Sequence, residues 1–273
     1  MLQTTYSTRA ILDQMGQKET IFYFDGTWDG VLTAVFDAFE YKRSPLDLRD
    51  MPEKQVDIFA DMHMVITEKS KADRVEAGLQ KKVGKRASIE LWHVYLSEQA
   101  GSALLVLRMA IRYFSDFGMC NRNYSDHDVL QVKRIVKSVS RERHRMMAFV
   151  RFCLLQDDLY FAHVAPDFNV LPLITRHFVE RYADQRWLIY DQKRGYGIYY
   201  DLKVVNEVRL NDLDAGTLKQ KIADKKQEVE IVYAKLWKRY FSAVNITERK
   251  NLTLHVQHVP KRYWSLLTEK DEY

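Results

Sequence analysis

Lys133, Lys137 and Arg141 recur at i, i+4 and i+8, with Arg134 and Arg145 close by. On a helix that spacing places three cations along one face. Such a stripe is either a solvated surface or a row of phosphate contacts, whose charge neutralisation dominates nucleic-acid affinity. Val129, Val132, Ile135, Val136 and Val139 fill the opposite side. The segment "RERHRMMAFVRF" carries Arg141 and clusters Arg143, His144, Arg145 and Arg151. Read as a strand at its end, it puts Phe149, Arg151 and Cys153 on one face. An arginine beside aromatic rings can stack a base, fork a phosphate, or pair with an acid across a sheet.

"DQKRGYGIYYD", residues 191–201, is the most site-like stretch. Its two glycines flank Tyr196 and permit close backbone approach. Lys193 and Arg194 supply charge, while Tyr196, Tyr199 and Tyr200 offer stacking surfaces. A hairpin turn with surface tyrosines explains the same residues equally well. Asp191 and Asp201 bracket the stretch, without a spacing that defines an acid/base pair. Near the end, "PKRYWSLLTEK" combines Lys261, Arg262, Tyr263 and Trp264, as a packing anchor or a ligand platform.

Metal and nucleophile chemistry find less support. Cys120 and Cys153 are too few for a disulfide framework or a four-cysteine cluster, and read as thiols of a reducing compartment. His255 and His258 have helical spacing but no third ligand nearby, so no metal is expected. No cofactor motif is present. "IFYFDGTWDG" reads as strand, Asp25-Gly26 turn and helix, yet lacks the glycine pattern of a dinucleotide or phosphate loop. Asp25 is therefore expected in a structural turn, with Thr27 as the helix cap.

These residues need elements to hold them. From Trp28 to Phe39 the apolar positions follow one helical face. Residues 43–55 read as a loop and 56–67 as a short strand or two. Ser70 suits a cap for a helix stopping near Gly84, and "ASIELWHVYLS" resumes it. "GSALLVLRMAIRYFSDFG" is apolar on nearly every side and should be a buried central helix. A further helix spans about 126–143. From 146 onward the pattern turns to β: "MMAFVRFCLL" and "LYFAHV" as a hairpin, "RWLIYD" as a strand, and "IYYDLKVVNEVRL" as one bent strand or two short ones. "LITRHFVERYA" reads as a helix, and a long helix follows over about 214–244. The expected class is α+β, mainly helical, with a mostly antiparallel sheet in the second half. The chain reads as one module, 1–273, divisible into a mainly helical part, 1–145, and an α+β part, 146–273.

Charge is uneven. Residues 1–120 hold 15 Lys and Arg against 17 Asp and Glu, leaving 27 against 20 for residues 121–273. The basic second half is compatible with an acidic or nucleic-acid partner. Neither a signal peptide nor a membrane span is legible, so a cytoplasmic protein is expected.

Five ordered stretches carry a resemblance: "FYFDGTWDGVLTAVFDAFE", "HRMMAFVRF", "DQKRGYGIYYD", "LWKRYFSAVNITERKN" and "PKRYWSLLTEK". Together they resemble an uncharacterised bacterial family of probable DNA-metabolism proteins. Its members are paired with a radical-SAM protein and are often fused to a uracil-DNA-glycosylase-like domain. The resemblance implies an accessory role in DNA metabolism or repair beside a radical-SAM partner. The chain ends at Tyr273 and is expected to be the stand-alone form, so glycosylase activity is not carried over. Two other readings stay open: an enzyme acting on nucleic acid or a nucleotide through carboxylates such as Asp25 or Asp191, and a structural partner subunit.

Overall fold

The computed structural model describes residues 18–50, 61–120, 125–155, 158–209, 233, 235–237, 239, 251–267 and 270. The chain forms two compact units, Met1–Ser140 and Arg141–Tyr273. The class is α+β as expected, with the larger sheet in the second half.

The first unit is built on β1 (Lys18–Phe24), the central strand of a three-stranded parallel sheet ordered β2-β1-β3. Ile21 to Phe24 are all buried, as a parallel strand covered on both faces requires. Gly26 adopts φ +79, the left-handed conformation that reverses the chain cheaply. Thr27 then caps α1 (Trp28–Glu40), its hydroxyl accepting from the Gly30 amide at 2.9 Å.

Residues 43–50, read above as part of a loop, form β2 (Arg43–Asp50). The Pro, Ser and Asp content that suggested a loop is tolerated because β2 is an edge strand, hydrogen-bonded on one side only. The register steps from Thr20 opposite Pro45 to Ile21 opposite Asp47. Leu46 is the extra residue of this bulge, and Arg108 donates to its carbonyl at 3.1 Å. On the other edge, β3 (Asp61–Met64) completes the sheet.

α2 (Lys69–Leu96) is one long helix interrupted at Gly84, where φ is +82 and ψ 158. The sequence placed a stop at that glycine and a second helix after it, and the chain leaves helical geometry there and resumes it beyond. Glu68, not Ser70, occupies the cap position, and it makes no side-chain cap bond. α3 (Ser102–Cys120) is the expected central helix, burying Leu105, Val106, Leu107, Met109, Ala110 and Tyr113.

α4 (His127–Phe149) crosses the boundary between the units at Ser140. It runs past the point where a strand was expected. Val129, Val132, Ile135, Val139, Glu142 and Met146 are its buried positions, spaced three and four apart, so the helical period carries through Met146. Strand structure starts only at β4 (Cys153–Leu154). Phe149, Arg151 and Cys153 therefore do not share a strand face.

The second unit's sheet is ordered β4-β5-β6-β7-β8. It comprises β5 (Tyr160–Val164), β6 (Trp187–Asp191), β7 (Tyr196–Tyr200) and β8 (Val205–Arg209). Only β5 and β6 pair in parallel, because α5 (Leu171–Arg181) connects them. Phe178 of α5 meets Trp187 at 6.1 Å between ring centroids, and Phe152 at 5.7 Å. The Gln156-Asp157 end of the first hairpin turn lies outside the described residues. Of the long helix expected over 214–244, residues 233, 235–237 and 239 are described, and they are helical. α6 (Leu252–His258) and a 3-10 helix, Lys261–Leu266, follow.

Asp25 answers to local geometry. Its Oδ1 accepts from the Thr27 amide at 2.9 Å and from the Thr27 hydroxyl at 2.7 Å. Partial burial works to raise its carboxyl pKa, but these bonds outweigh it and hold the group below the usual range. Asp25→Ala is expected to lower stability by about 1 kcal/mol, as for a lost cap or turn. Urea denaturation measures this. A variant as stable as the parent would show that Asp25 does not hold the turn.

Candidate nucleic-acid interface

The register of α4 decides which cations face solvent. Its exposed positions include Arg134, Lys137, Arg141 and His144, which follow one another at intervals of three, four and three. They form one stripe about 15 Å long on a single continuous helix. The helix carries two carboxylates, and neither lies on this face. Asp128 is turned to Arg112, 3.4 Å away, and Glu142 is buried.

Anchoring at the amino end of α4 is tight. Asp126 accepts from the Asp128 and Val129 amides at 2.9 and 3.2 Å, and pairs with the buried Arg112 at 2.7 Å. Burial alone would raise the Asp126 carboxyl pKa; the Arg112 hydrogen bond and the two amides hold it below its ordinary 3.8. A depressed carboxylate pKa stabilises the fold above its unfolded value, and that contribution is lost as pH falls through the folded one. The urea midpoint is therefore expected to drop as pH is lowered from about 5 past 3.8. Asp126→Asn is expected to be less stable at neutral pH and to show a shallower acid decline. An unchanged decline would remove Asp126 as its source.

Lys133 departs from the stripe. Its Nζ lies 2.6 Å from Glu90, so its charge is held within the first unit. Arg134 stands on the exposed face with Lys137 and Arg141. Arg143 and Arg145 are half-buried, and Arg145 lies 3.9 Å from Glu142. Arg151 donates to the carbonyls of Ala148 and Val150, at 2.7 and 3.3 Å, closing the carboxyl end of α4.

Several sequence candidates of the second unit gather on the segment 166–169. The turn between β6 and β7 is organised by Asp191, which is fully buried and accepts from the Lys193 and Arg194 amides at 2.9 and 3.3 Å. Burial pushes its carboxyl pKa upward, although Arg194 lies 2.8 Å away. The Arg194 guanidinium also donates to the carbonyls of Pro166 and Asp167, both at 3.1 Å. Lys193 Nζ reaches the same Asp167 carbonyl at 3.1 Å, and Tyr196 donates to Asn169 at 2.5 Å. Arg262 pairs with the Asp167 carboxylate at 2.8 Å. Lys261 is exposed, its ammonium 5.9 Å from the Trp264 ring centroid. Asp201, the other acid of the stretch, caps the turn into β8 through the Lys203 and Val204 amides.

Glu142 is the residue that pattern reading missed. It is buried among the same groups and accepts from the Tyr263 hydroxyl at 2.5 Å, the Asp167 amide at 2.9 Å and Arg262 at 3.2 Å. Burial first, then the hydrogen bond to Glu142 and its charge, push the Tyr263 phenol pKa far up, so Tyr263 keeps its proton and donates it. The sequence signal was an acid at a position where the 3-4 apolar period of α4 called for a core residue.

His255 lies in α6 with its ring 5.9 Å from that of Trp264. Among the described residues no group of three or more His, Cys, Asp and Glu is arranged to hold a metal ion. Nor, among them, is any helix long and apolar enough to cross a membrane.

The fold and this surface define a mixed α+β protein with a row of exposed basic residues on one helix. By its sequence the chain belongs to the DUF4130 family, a domain of unknown function, whose model matches residues 100–269. The match takes in α4, the 191–201 turn and the closing aromatic motif, and leaves the Asp25 turn outside it. No curated protein matches the chain.

Proposed function

We propose that this is an accessory protein of nucleic-acid metabolism, with DNA the favoured substrate, that holds the phosphate backbone along α4 and works beside a radical-SAM protein. The observation that carries the binding part is the row Arg134, Lys137, Arg141 and His144, exposed together on a face to which α4 itself contributes no carboxylate. Phosphate contacts need cations within reach of solvent, and they position a nucleic acid without reading its sequence. The partner and the preference for DNA are supported by the family resemblance carried by the five motifs.

Fluorescence anisotropy with single- and double-stranded DNA and with RNA tests the binding. Expected is sequence-independent affinity that weakens steeply as salt is raised. Absence of binding at low salt, with the radical-SAM protein also present, would leave the α4 face an ordinary solvated surface. Size exclusion and cross-linking of the co-expressed pair test the partner. One shared peak or a specific cross-link is expected; two independent peaks without a cross-link would count against it.

A further inference from the structure

A cleft of about 500 Å³ opens in the first unit between α1, α2 and α3, lined by Phe36, Phe39, Glu40, Arg74, Val75 and Phe114. Its volume falls in the range of small-molecule sites, roughly 300–1,000 Å³. The walls are aromatic. Phe39 and Phe114 stand edge to face at 5.8 Å, and Phe39 is 38% exposed, so its ring is open to a ligand. Two polar groups reach the cleft. Glu40 is turned toward Lys71, 3.5 Å away, an ammonium it shares with Asp37 and Glu68. Arg74 is different: among the described residues it pairs with no carboxylate, and its guanidinium is held over the Phe36 ring at 5.1 Å.

A concave aromatic surface with a guanidinium stacked on one wall, and with its one carboxylate turned toward Lys71, matches a flat ring that carries an anion at the Arg74 end. Phenylalanine rings accept a base by stacking whatever its identity. A guanidinium forks a phosphate, and an arginine already stacked on a ring is pre-organised to do so. We propose that this cleft binds a single nucleotide, its base against Phe39 and Phe114 and its phosphate on Arg74. The nucleotide is either a free nucleoside monophosphate or the 5′-terminal nucleotide of a strand. The proposal uses residues of the first unit only and does not rest on the α4 interface.

Isothermal titration of the full chain with adenosine 5′-monophosphate, adenosine, inorganic phosphate and a 5′-phosphorylated deoxyadenosine trinucleotide tests it. Adenosine monophosphate is expected to bind at least tenfold more tightly than adenosine or phosphate alone. Arg74→Gln should bring the monophosphate down to the affinity of adenosine and leave adenosine unchanged. Phe39→Ala, at an exposed position that the fold tolerates, should weaken both at least fivefold. Lys137→Gln with Arg141→Gln should alter none of these affinities, so loss of the α4 interface and loss of the cleft read out separately. Tighter binding of the trinucleotide assigns a strand end; tighter binding of the monophosphate assigns the free nucleotide. No binding of either at millimolar concentration, or equal affinity of the parent and Arg74→Gln for both, would overturn the proposal.

Discussion

Replacing Arg134, Lys137 and Arg141 together by glutamine is expected to flatten the salt dependence of nucleic-acid binding. Each phosphate neutralised contributes a slope of roughly −0.7 for single strands and −0.9 for duplex in log affinity against log salt. Loss of three such contacts makes the slope shallower by about 2 to 3 units. Lys133→Gln is the control. Lys133 sits 2.6 Å from Glu90, so its charge is already balanced and its removal should leave the slope in place. Anisotropy titrations at four or more salt concentrations separate the two outcomes. Parallel lines for the parent and the triple variant would mean that phosphates do not lie on this face. A change in slope for Lys133→Gln alone would move the interface toward Glu90.

The largest stability effect is expected at Glu142. Its carboxylate is 1% exposed as a residue and takes the Tyr263 hydroxyl, the Asp167 amide and an Arg262 donor. Glu142→Ala strands all three, and breaking one side of a buried charged network costs about 3–5 kcal/mol. Tyr263→Phe removes one hydroxyl, which donates to Glu142 and accepts from Arg262, and should cost about 1–3 kcal/mol, because the Glu142 carboxylate keeps its other donors. Glu142→Gln keeps the shape and one acceptor oxygen and should fall between the two. Urea denaturation of the three variants gives the order directly. A Glu142→Ala variant within 1 kcal/mol of the parent would mean that water replaces the carboxylate at little cost.

Much of the fold was legible where a periodic apolar pattern ran long enough to dominate. α1, α3 and α5 follow from their buried faces, and the Asp25 turn from its Asp-Gly signal and Thr27 cap. Reading failed where tertiary context overrode local signals. Pro45 and its polar neighbours look like a loop, yet edge position and a bulge make them a strand. Met146 to Phe149 have strand composition, yet Met146 continues the buried spacing of α4. The candidate interface was half legible. Helical spacing gave Lys137 and Arg141, but the choice between Lys133 and Arg134 depended on where Glu90 of another helix lies. The cations of the 193–194 turn and Arg262 could not be sorted from sequence. Their partners are carbonyls and an aspartate on 166–167, distant in the chain and silent in its pattern.

The bulge at Leu46 bears on how the protein survives at high concentration. β2 is an outer strand, the kind of edge onto which a second chain can add and begin a fibril. A newcomer would need the regular row of backbone donors and acceptors that a flat edge offers. Here the Leu46 carbonyl is already taken by Arg108, the ladder is out of step by one residue, and Asp47 and Arg49 place paired charges 2.7 Å apart on the same strand. These features disfavour growth on that side of the sheet, whose central strand buries four consecutive apolar residues, three of them aromatic, of the kind that drives cross-β stacking when exposed.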